Sequence, residues 1–258
     1  MERNYDKVIT LLTKETKGLT TESAELASWA YRMQGNSLAN QAKSKTGEEA
    51  DRLFALAGEK YQAALKIKPD CHEALHWWGN TLTDQAKTKT GEKADQLFAL
   101  AGKKYQAALK IKPDDHDVLC TWGLAFSTQA RTKTGEEADQ FYAQAGEKYQ
   151  AALKIKPDYY NVLYVWGLNL HSQAKTKTGK DADRLFALSG KKFQETLKIK
   201  PDMYNALTIW GNVLFRQAKT KTGKKAECLY AQAVEKYQAA LKIKPDDHKT
   251  LNNWGFDL

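Results

Sequence analysis

The sequence predicts an all-α solenoid in which pairs of antiparallel helices stack one on the next. The first observation is that the stretch Lys89–Asp114 (KTGEKADQLFALAGKKYQAALKIKPD) recurs five times with few changes. The second is a period of 44 residues, as from Pro69 to Pro113, which every later proline keeps. The third is helical spacing of the apolar residues in each repeat. A fixed period of this size indicates units that bury their apolar faces by stacking on neighbours.

The second repeat illustrates the predicted first helix of each pair. Its apolar stripe, at i, i+3, i+4, i+7 and i+11, is Leu75, Trp78, Gly79, Leu82 and Ala86. Asp70 follows Pro69 and is predicted to cap the N-terminus of this helix. Glu73, three residues later, is placed as in a capping box.

The second helix follows the sequence Lys-Thr-Lys-Thr-Gly. We expect Thr90 to cap it and Gly91 to permit the tight turn. Its stripe is Ala94, Leu97, Phe98, Ala101, Tyr105, Ala108 and Leu109. Pro113 ends the helix, since proline restricts the preceding residue and cannot continue the hydrogen-bond ladder.

These residues resemble the tetratricopeptide repeat (TPR). Ala101-x3-Tyr105-x2-Ala108-x4-Pro113 is similar to the second-helix signature of that family, and Leu75-x2-Trp78-Gly79-x2-Leu82 resembles the first-helix signature with the aromatic residue and leucine exchanged. The resemblance covers residues 22–258 and implies a right-handed α-solenoid with a concave groove. The fourth repeat departs most, with Ser189, Phe193 and Thr196 at the Ala, Tyr and Ala positions.

The repeat is longer than that of the family it resembles. The family unit has about 34 residues, and about ten more stand here between the first-helix glycine and the second-helix alanine. Shared evenly, they add roughly 7 Å to each helix at about 1.5 Å per residue. We therefore expect helices of about 17–20 residues.

The repeats divide the chain into three segments. Residues 1–21 carry a divergent amphipathic segment, expected to be an N-terminal capping helix, and Thr20 or Thr21 offers the N-cap of the helix that follows. Residues 22–245 form five repeats. Residues 246–258 correspond to one more first helix, which is either a terminal cap or the start of a repeat that continues in a longer protein.

Composition and charge narrow the function classes. No apolar run has the length that a membrane-spanning helix needs, and no secretory signal is evident, so we expect a cytoplasmic protein that does not contact membranes. The three cysteines occupy three different repeat positions, which argues against a disulfide framework. Net charge is +1 (18 − 17) for residues 1–129 and +8 (22 − 14) for residues 130–258. The basic second half favours acidic partners.

The second helix is nearly constant among the repeats, whereas the first helix varies at particular positions. The TPR resemblance implies that these positions line the concave groove and contact a peptide. An alternative is that they vary because nothing constrains them, but large aromatic residues among them favour a binding surface. The candidate groove residues are Arg32, Asn36, Glu73, His76, Trp77, Asn80, Asp117, Tyr164, Asn205, Thr208, Asn212 and Phe215.

The predicted function is that of a protein-interaction scaffold, without enzymatic activity, that binds a segment of a partner protein. A carboxylate clamp, for which TPR proteins use Lys and Asn, is only approximated by Arg32 with Asn36 and by His76 with Asn80. Two alternatives remain at this point. One is a basic edge of lysine-rich turns that binds RNA or DNA; the other is a structural arm of a larger protein, with self-association through its terminal repeats.

Two short motifs suggest chemistry that we do not expect. His72-Glu73-Ala74-Leu75-His76 matches the HExxH zinc-protease pattern, but Leu82 stands where a third ligand would be needed. Lys177–Lys180 and Lys221–Lys224 (both KTGK) lack the leading glycine and the preceding strand of a phosphate loop. No metal and no cofactor are predicted.

Overall fold

A computed structural model describes residues 20–255, together with Tyr5 and Lys7. Eleven helices lie within this part of the chain: α1 (Thr21–Lys43), α2 (Gly47–Ile67), α3 (His72–Ala86), α4 (Gly91–Ile111), α5 (His116–Ala130), α6 (Gly135–Ile155), α7 (Tyr160–Ala174), α8 (Gly179–Ile199), α9 (Tyr204–Ala218), α10 (Gly223–Ile243) and α11 (His248–Gly255). The prediction of an all-α chain is confirmed. Of the predicted capping helix (residues 1–21), only Tyr5, Lys7, Thr20 and Thr21 lie in the described part.

Helix lengths differ from the equal sharing expected from the sequence. From the second repeat onward the first helix has 15 residues and the second has 21. The expectation of about 17–20 residues for both was therefore wrong. The chain reverses soon after Ala86, so most of the additional length belongs to the second helix.

The turn between the two helices depends on a glycine in the left-handed region. Gly91 begins α4 with φ +59°, and Gly47, Gly135, Gly179 and Gly223 adopt the same conformation. The predicted role of Gly91 is confirmed. Thr90 stands at the N-cap position in extended conformation, but its side chain makes no capping hydrogen bond. Its predicted capping role was wrong, because the turn is set by the backbone of the glycine.

We expect Gly91→Ala to lower the free energy of unfolding by about 1 kcal/mol, because an L side chain is disfavoured at this φ. A Cβ at Gly91 would meet no atom within 4 Å, so the loss measures backbone strain alone. Gly91→Asn should cost less, since asparagine tolerates this region better. Urea unfolding followed by far-UV circular dichroism tests both, and an Ala variant as stable as the wild type would contradict the explanation.

The first helices start one residue later than the sequence suggested. The N-cap of α3 is Cys71 and not Asp70, so the capping box predicted for Asp70 and Glu73 does not form. The equivalent residue in the third repeat, Asp115, does cap α5, because its Oδ1 accepts hydrogen bonds from the backbone N–H groups of Asp117 and Val118 at 3.1 Å each. Thr20 caps α1 through Ser23 N, as predicted.

The chain divides into two compact units, Met1–Thr132 and Lys133–Leu258. In each unit a second helix packs against the first helix before it and the first helix after it. In the N-terminal unit the TPR signature residues Ala101, Tyr105 and Ala108 are completely buried, in a cluster that also contains Leu75 and Leu82. The constant stretch of the repeat is therefore its core.

The fourth repeat shows how the departing residues are accommodated in the C-terminal unit. Ser189, Phe193 and Thr196 are all fully buried. The hydroxyl of Ser189 donates a hydrogen bond to the carbonyl of Gly167 at 2.8 Å, and that of Thr196 donates to the carbonyl of Lys192 at 2.8 Å. Each polar replacement is thus satisfied by backbone oxygen.

Candidate ligand-binding face

The first helices of neighbouring repeats pack directly against one another within each unit. In the N-terminal unit α3 contacts both α1 and α5, and in the C-terminal unit α9 contacts α7. Among the described helices no comparably close approach joins α2 to α4 or α8 to α10. The first helices therefore lie side by side in each unit, and all the candidate groove residues lie on them; we call the surface that these helices present the inner face.

Asparagines on this face are oriented by buried tyrosines. The Tyr61 hydroxyl donates to Asn36 Oδ1, the Tyr105 hydroxyl to Asn80 Oδ1 and the Tyr237 hydroxyl to Asn212 Oδ1, each at 2.8 Å. Burial raises the pKa of Tyr61 to about 12, and burial likewise raises the pKa of Tyr105, so both hydroxyls remain protonated donors. With its oxygen held in this way, each amide has Nδ2 left as a donor, and Nδ2 of Asn36 lies 4.0 Å from Met33 Sδ.

His76 and Trp77 lie beside this amide on α3. His76 Nε2 is 2.8 Å from the hydroxyl of Thr121 on α5, which itself donates to the carbonyl of Asp117. The hydroxyl therefore accepts from an Nε2–H group. Burial lowers the pKa of His76, which keeps the ring neutral and makes it unsuitable as the cation of a carboxylate clamp. Trp77 stacks on this ring with the centroids 5.8 Å apart and remains 42% exposed.

The other candidate residues of the N-terminal unit lie at the margin of this cluster. Arg32 on α1 is half-buried, whereas Glu73 and Asp117 are exposed in the first turns of α3 and α5. Glu73 Oε2 is 3.3 Å from His72 Nδ1. The structure thus brings Asn80, His76 and Trp77 together and leaves the two acidic residues toward solvent.

In the C-terminal unit the candidates divide between the surface and the interior. Thr208 is buried, and its hydroxyl lies 2.6 Å from that of Thr250, so it is not accessible to a ligand. Tyr164 is half-buried with its ring against Phe193. Asn205 is exposed, while Asn212 and Phe215 line a cavity of about 250 Å³.

This cavity contains residues that the sequence analysis missed. His171, Arg216 and Lys219 line it together with Asn212 and Phe215. A comparison of the repeats could have found Arg216. The equivalent residues of the five repeats are Asn40, Asp84, Thr128, Ser172 and Arg216. Only the last of these is basic.

The residues of the two short motifs have other partners. His72 Nε2 is 3.3 Å from Asp115 Oδ2, whereas His76 bonds Thr121, so the two imidazoles of the HExxH pattern face different groups. Within the described ranges no three His, Cys, Asp or Glu residues are placed to hold a metal ion. In the KTGK turns, Lys177 is ion-paired with Asp139 and Lys221 with Asp183, which removes two cations from the predicted basic edge.

Comparisons with known proteins agree with this architecture. A family model described as the plant specific mitochondrial import receptor subunit TOM20 matches residues 50–178 and again 97–205. The chain belongs to this family. The overlap of the two matches is expected of a chain with a 44-residue repeat, since one model can align in more than one register. No curated protein matches this TOM20-family chain.

Solved structures of TPR proteins share the fold of this TOM20-family protein. TTC0263 from Thermus thermophilus aligns with TM-score 0.59 and 15% identity over 90% of this chain and 98% of its own. MamA from Desulfovibrio magneticus RS-1 aligns with TM-score 0.56 and 12% identity over 86% and 97%. YrrB, described as a TPR protein with an unusual peptide-binding site, aligns with TM-score 0.52 and 13% identity over 99% and 100%. The prediction of a TPR-type solenoid is confirmed.

None of the helices between residues 20 and 255 combines the length and the hydrophobicity needed to cross a lipid bilayer.

Proposed function

We propose that this TOM20-family protein is an interaction scaffold whose first helices bind an extended or helical segment of a partner protein. The observation that carries the proposal is the cluster on the inner face of the N-terminal unit, where an exposed tryptophan stands beside an oriented amide donor. Exposed tryptophans supply much of the binding energy at protein interfaces. An amide donor on the scaffold can also donate a hydrogen bond to a backbone carbonyl of the bound segment, whatever the sequence of that segment.

The cluster is preorganised, which favours binding. Tyr105 fixes the Asn80 oxygen, and Thr121 fixes the ring of His76 on which Trp77 stacks. Side chains that are already ordered lose little conformational entropy when a ligand arrives. The face therefore suits a partner segment better than a set of freely rotating surface residues would.

The family description provides one class of partner. A mitochondrial import receptor acts on proteins that are on their way into mitochondria, so segments of such proteins are the first candidates. The excess of basic residues in the second half of the chain favours acidic segments of such proteins rather than their targeting segments, which are rich in arginine and poor in acidic residues. The expected cytoplasmic location and self-association through the terminal repeats stay predictions, although the exposed Leu251 on α11 is compatible with the latter.

Binding of nucleic acid along the turn edge is less well supported. Lys177 and Lys221 point to aspartates of the preceding second helices and are only partly exposed. The predicted basic edge thus has two lysines whose charge is already paired. A protein segment therefore remains the proposed ligand.

We expect Trp77→Ala to weaken partner binding by about tenfold or more, since truncation of a central tryptophan commonly costs about 2 kcal/mol. Asn80→Asp is the sharper variant, because it keeps an oxygen to accept from Tyr105 while removing the amide donor; we expect about a fivefold loss. Proteins captured from a plant cell lysate by the wild type but not by Trp77→Ala supply the segments. Synthetic peptides of those segments are then titrated by fluorescence anisotropy.

Leu100→Ala is the matched control. Leu100 is 40% exposed, nearly as much as Trp77, but it lies on the second helix α4, away from the inner face. Its truncation should leave the affinity unchanged. Equal affinities for wild type, Trp77→Ala and Asn80→Asp, with unchanged helicity, would overturn the proposal.

A further inference from the structure

One position on the first helices carries opposite charges in the two units. In the N-terminal unit it is Asp84, whose carboxylate is 2.7 Å from Lys43 Nζ and 2.6 Å from Lys87 Nζ. The repeat places Arg216 at the same position of the C-terminal unit, between Lys175 and Lys219, which correspond to Lys43 and Lys87. Two lysines that share one carboxylate are thus replaced by three cations.

The three cations have no acidic partner. Among the described residues none of Lys175, Arg216 and Lys219 forms an ion pair, although Lys219 lies over the ring of Phe215 at 4.5 Å. The neighbouring Lys177 and Lys221, by contrast, are each paired with an aspartate. Charges left unpaired in this way attract anions.

The same residues line cavities of the C-terminal unit. Arg216 and Lys219 line both the cavity of about 250 Å³ beside Asn212 and a second one of about 340 Å³ beside Lys175. None of the described residues that line either cavity is acidic. Thr178 and Gly179, at the N-terminus of α8, also line the second cavity, and the Thr178 side chain makes no capping bond. The unsatisfied N–H groups of the first helical turn add to the positive potential.

We propose that Lys175, Arg216 and Lys219 form an anion-binding site of the C-terminal unit that holds carboxylate side chains of the partner segment. The guanidinium of Arg216 supplies paired N–H donors that match a carboxylate, and the two lysines add further charge. Asn212, oriented by Tyr237, offers an amide donor in the adjoining cavity. The inference rests on the proposed function only in taking a polypeptide as the ligand.

The test uses a variant that copies the arrangement found in the N-terminal unit. Arg216→Asp recreates the lysine–aspartate–lysine arrangement of Lys43, Asp84 and Lys87 and should therefore fold. The probe is a fluorescein-labelled decapeptide of alternating Glu and Ser, with the same peptide carrying Gln for Glu as the reference. We expect the wild type to bind the Glu peptide at least about tenfold more tightly than the Gln peptide, and Arg216→Asp to remove that preference.

Lys224→Glu is the charge-matched control, because this substitution changes the net charge by the same amount as Arg216→Asp. Lys224 is exposed in the C-terminal unit and lines neither cavity. It should keep most of the preference. An equal loss in Lys224→Glu and Arg216→Asp would overturn the site, since the attraction would then come from net charge alone. Tighter binding of a phosphoserine peptide or of single-stranded RNA than of the Glu peptide would overturn the assignment to carboxylates.

The variants separate this inference from the proposed function. If Trp77→Ala weakens binding of captured partner peptides but Arg216→Asp does not change binding of acidic ones, the scaffold proposal holds and the anion site is overturned. If Arg216→Asp removes the Glu preference while Trp77→Ala has no effect on partner peptides, the anion site is supported and the inner-face proposal for the N-terminal unit fails.

Discussion

We expect Gly79→Ala to lower the free energy of unfolding by about 2 kcal/mol, as overpacking of a rigid core commonly costs about 1–3 kcal/mol or more. A Cβ at Gly79 would lie 2.6 Å from Cε1 of Tyr105 and 2.9 Å from both Cδ1 and Cζ. Tyr105 cannot move aside easily, because its ring is completely buried and its hydroxyl is held by Asn80. Either α3 and α4 must separate or the ring must leave its position.

The sign of this effect is informative because helix propensity acts in the opposite direction. Replacing a glycine by alanine within a helix stabilises it by about 1 kcal/mol when nothing else changes. Gly102, within α4, provides that case: its nearest neighbour beyond its own helix is Trp122 Nε1, 3.6 Å from an added Cβ. We expect Gly102→Ala to be neutral or stabilising.

Urea unfolding followed by circular dichroism compares the two variants. A Gly79→Ala protein at least as stable as the Gly102→Ala protein would show that the contact with Tyr105 does not limit the approach of the helices. The affected residues also carry the inner face, since Tyr105 orients Asn80. Loss of partner binding in Gly79→Ala should therefore accompany the loss of stability.

The sequence was sufficient to predict the fold because packing is repeated. Gly79, Ala101, Tyr105 and Ala108 have counterparts of similar size in the other repeats, so the packing pattern can be recognised without an alignment. Local details such as helix caps were not predicted, because they depend on the position of one or two atoms. The N-cap position of the first helices lies one residue later than Asp70, so that Asp115 caps α5 whereas Asp70 does not cap α3.

The candidate site was predicted only at the level of the face. That Asn80 belongs to the first helix and varies among repeats is visible in the sequence, but its bond to Tyr105 is not. The repeats gave only a partial signal of this bond: three repeats combine Asn with Tyr and the fourth combines Leu168 with Phe193, but the third combines Leu124 with Tyr149. Thr208 was chosen by position on the helix, whereas its burial depends on Thr250, a residue 42 positions away.

The comparison of Asp84 with Arg216, which stand at the same position of two repeats, shows what a structure adds to a comparison of repeats. The charge at this repeat position changes from negative to positive, and only the ion pairs of the N-terminal unit show that the aspartate is shared by two lysines. Without coordinates, the basic excess of the second half was assigned to the turns. The structure shows that part of this excess is Arg216, near the end of α9, which lines the same cavity as the imidazole of His171.

That imidazole makes the stability of the C-terminal unit depend on pH. Burial, together with the nearby charges of Arg216 and Lys175, lowers the pKa of His171 from 6.5 to about 4. Below pH 6.5 the unfolded chain therefore takes up a proton that the folded chain excludes, and stability falls until the pH reaches about 4. By pH 4.5 the loss from this one residue is roughly 2 kcal/mol.

His171→Phe should remove this loss without a large change at neutral pH, because Phe215 occupies the same repeat position and the ring stays near Phe186. Urea unfolding at pH 7.5 and pH 4.5 measures it: the stability lost between the two pH values should be smaller in His171→Phe than in the wild type by roughly 2 kcal/mol. Carboxylates titrate equally in both proteins and cancel from this difference. His248→Asn, at an exposed position of the same unit, should behave as the wild type does. Arg216→Asp should recover part of the loss, since it removes one of the two cations that oppose protonation of His171, and identical pH dependence in the wild type and His171→Phe would contradict the explanation.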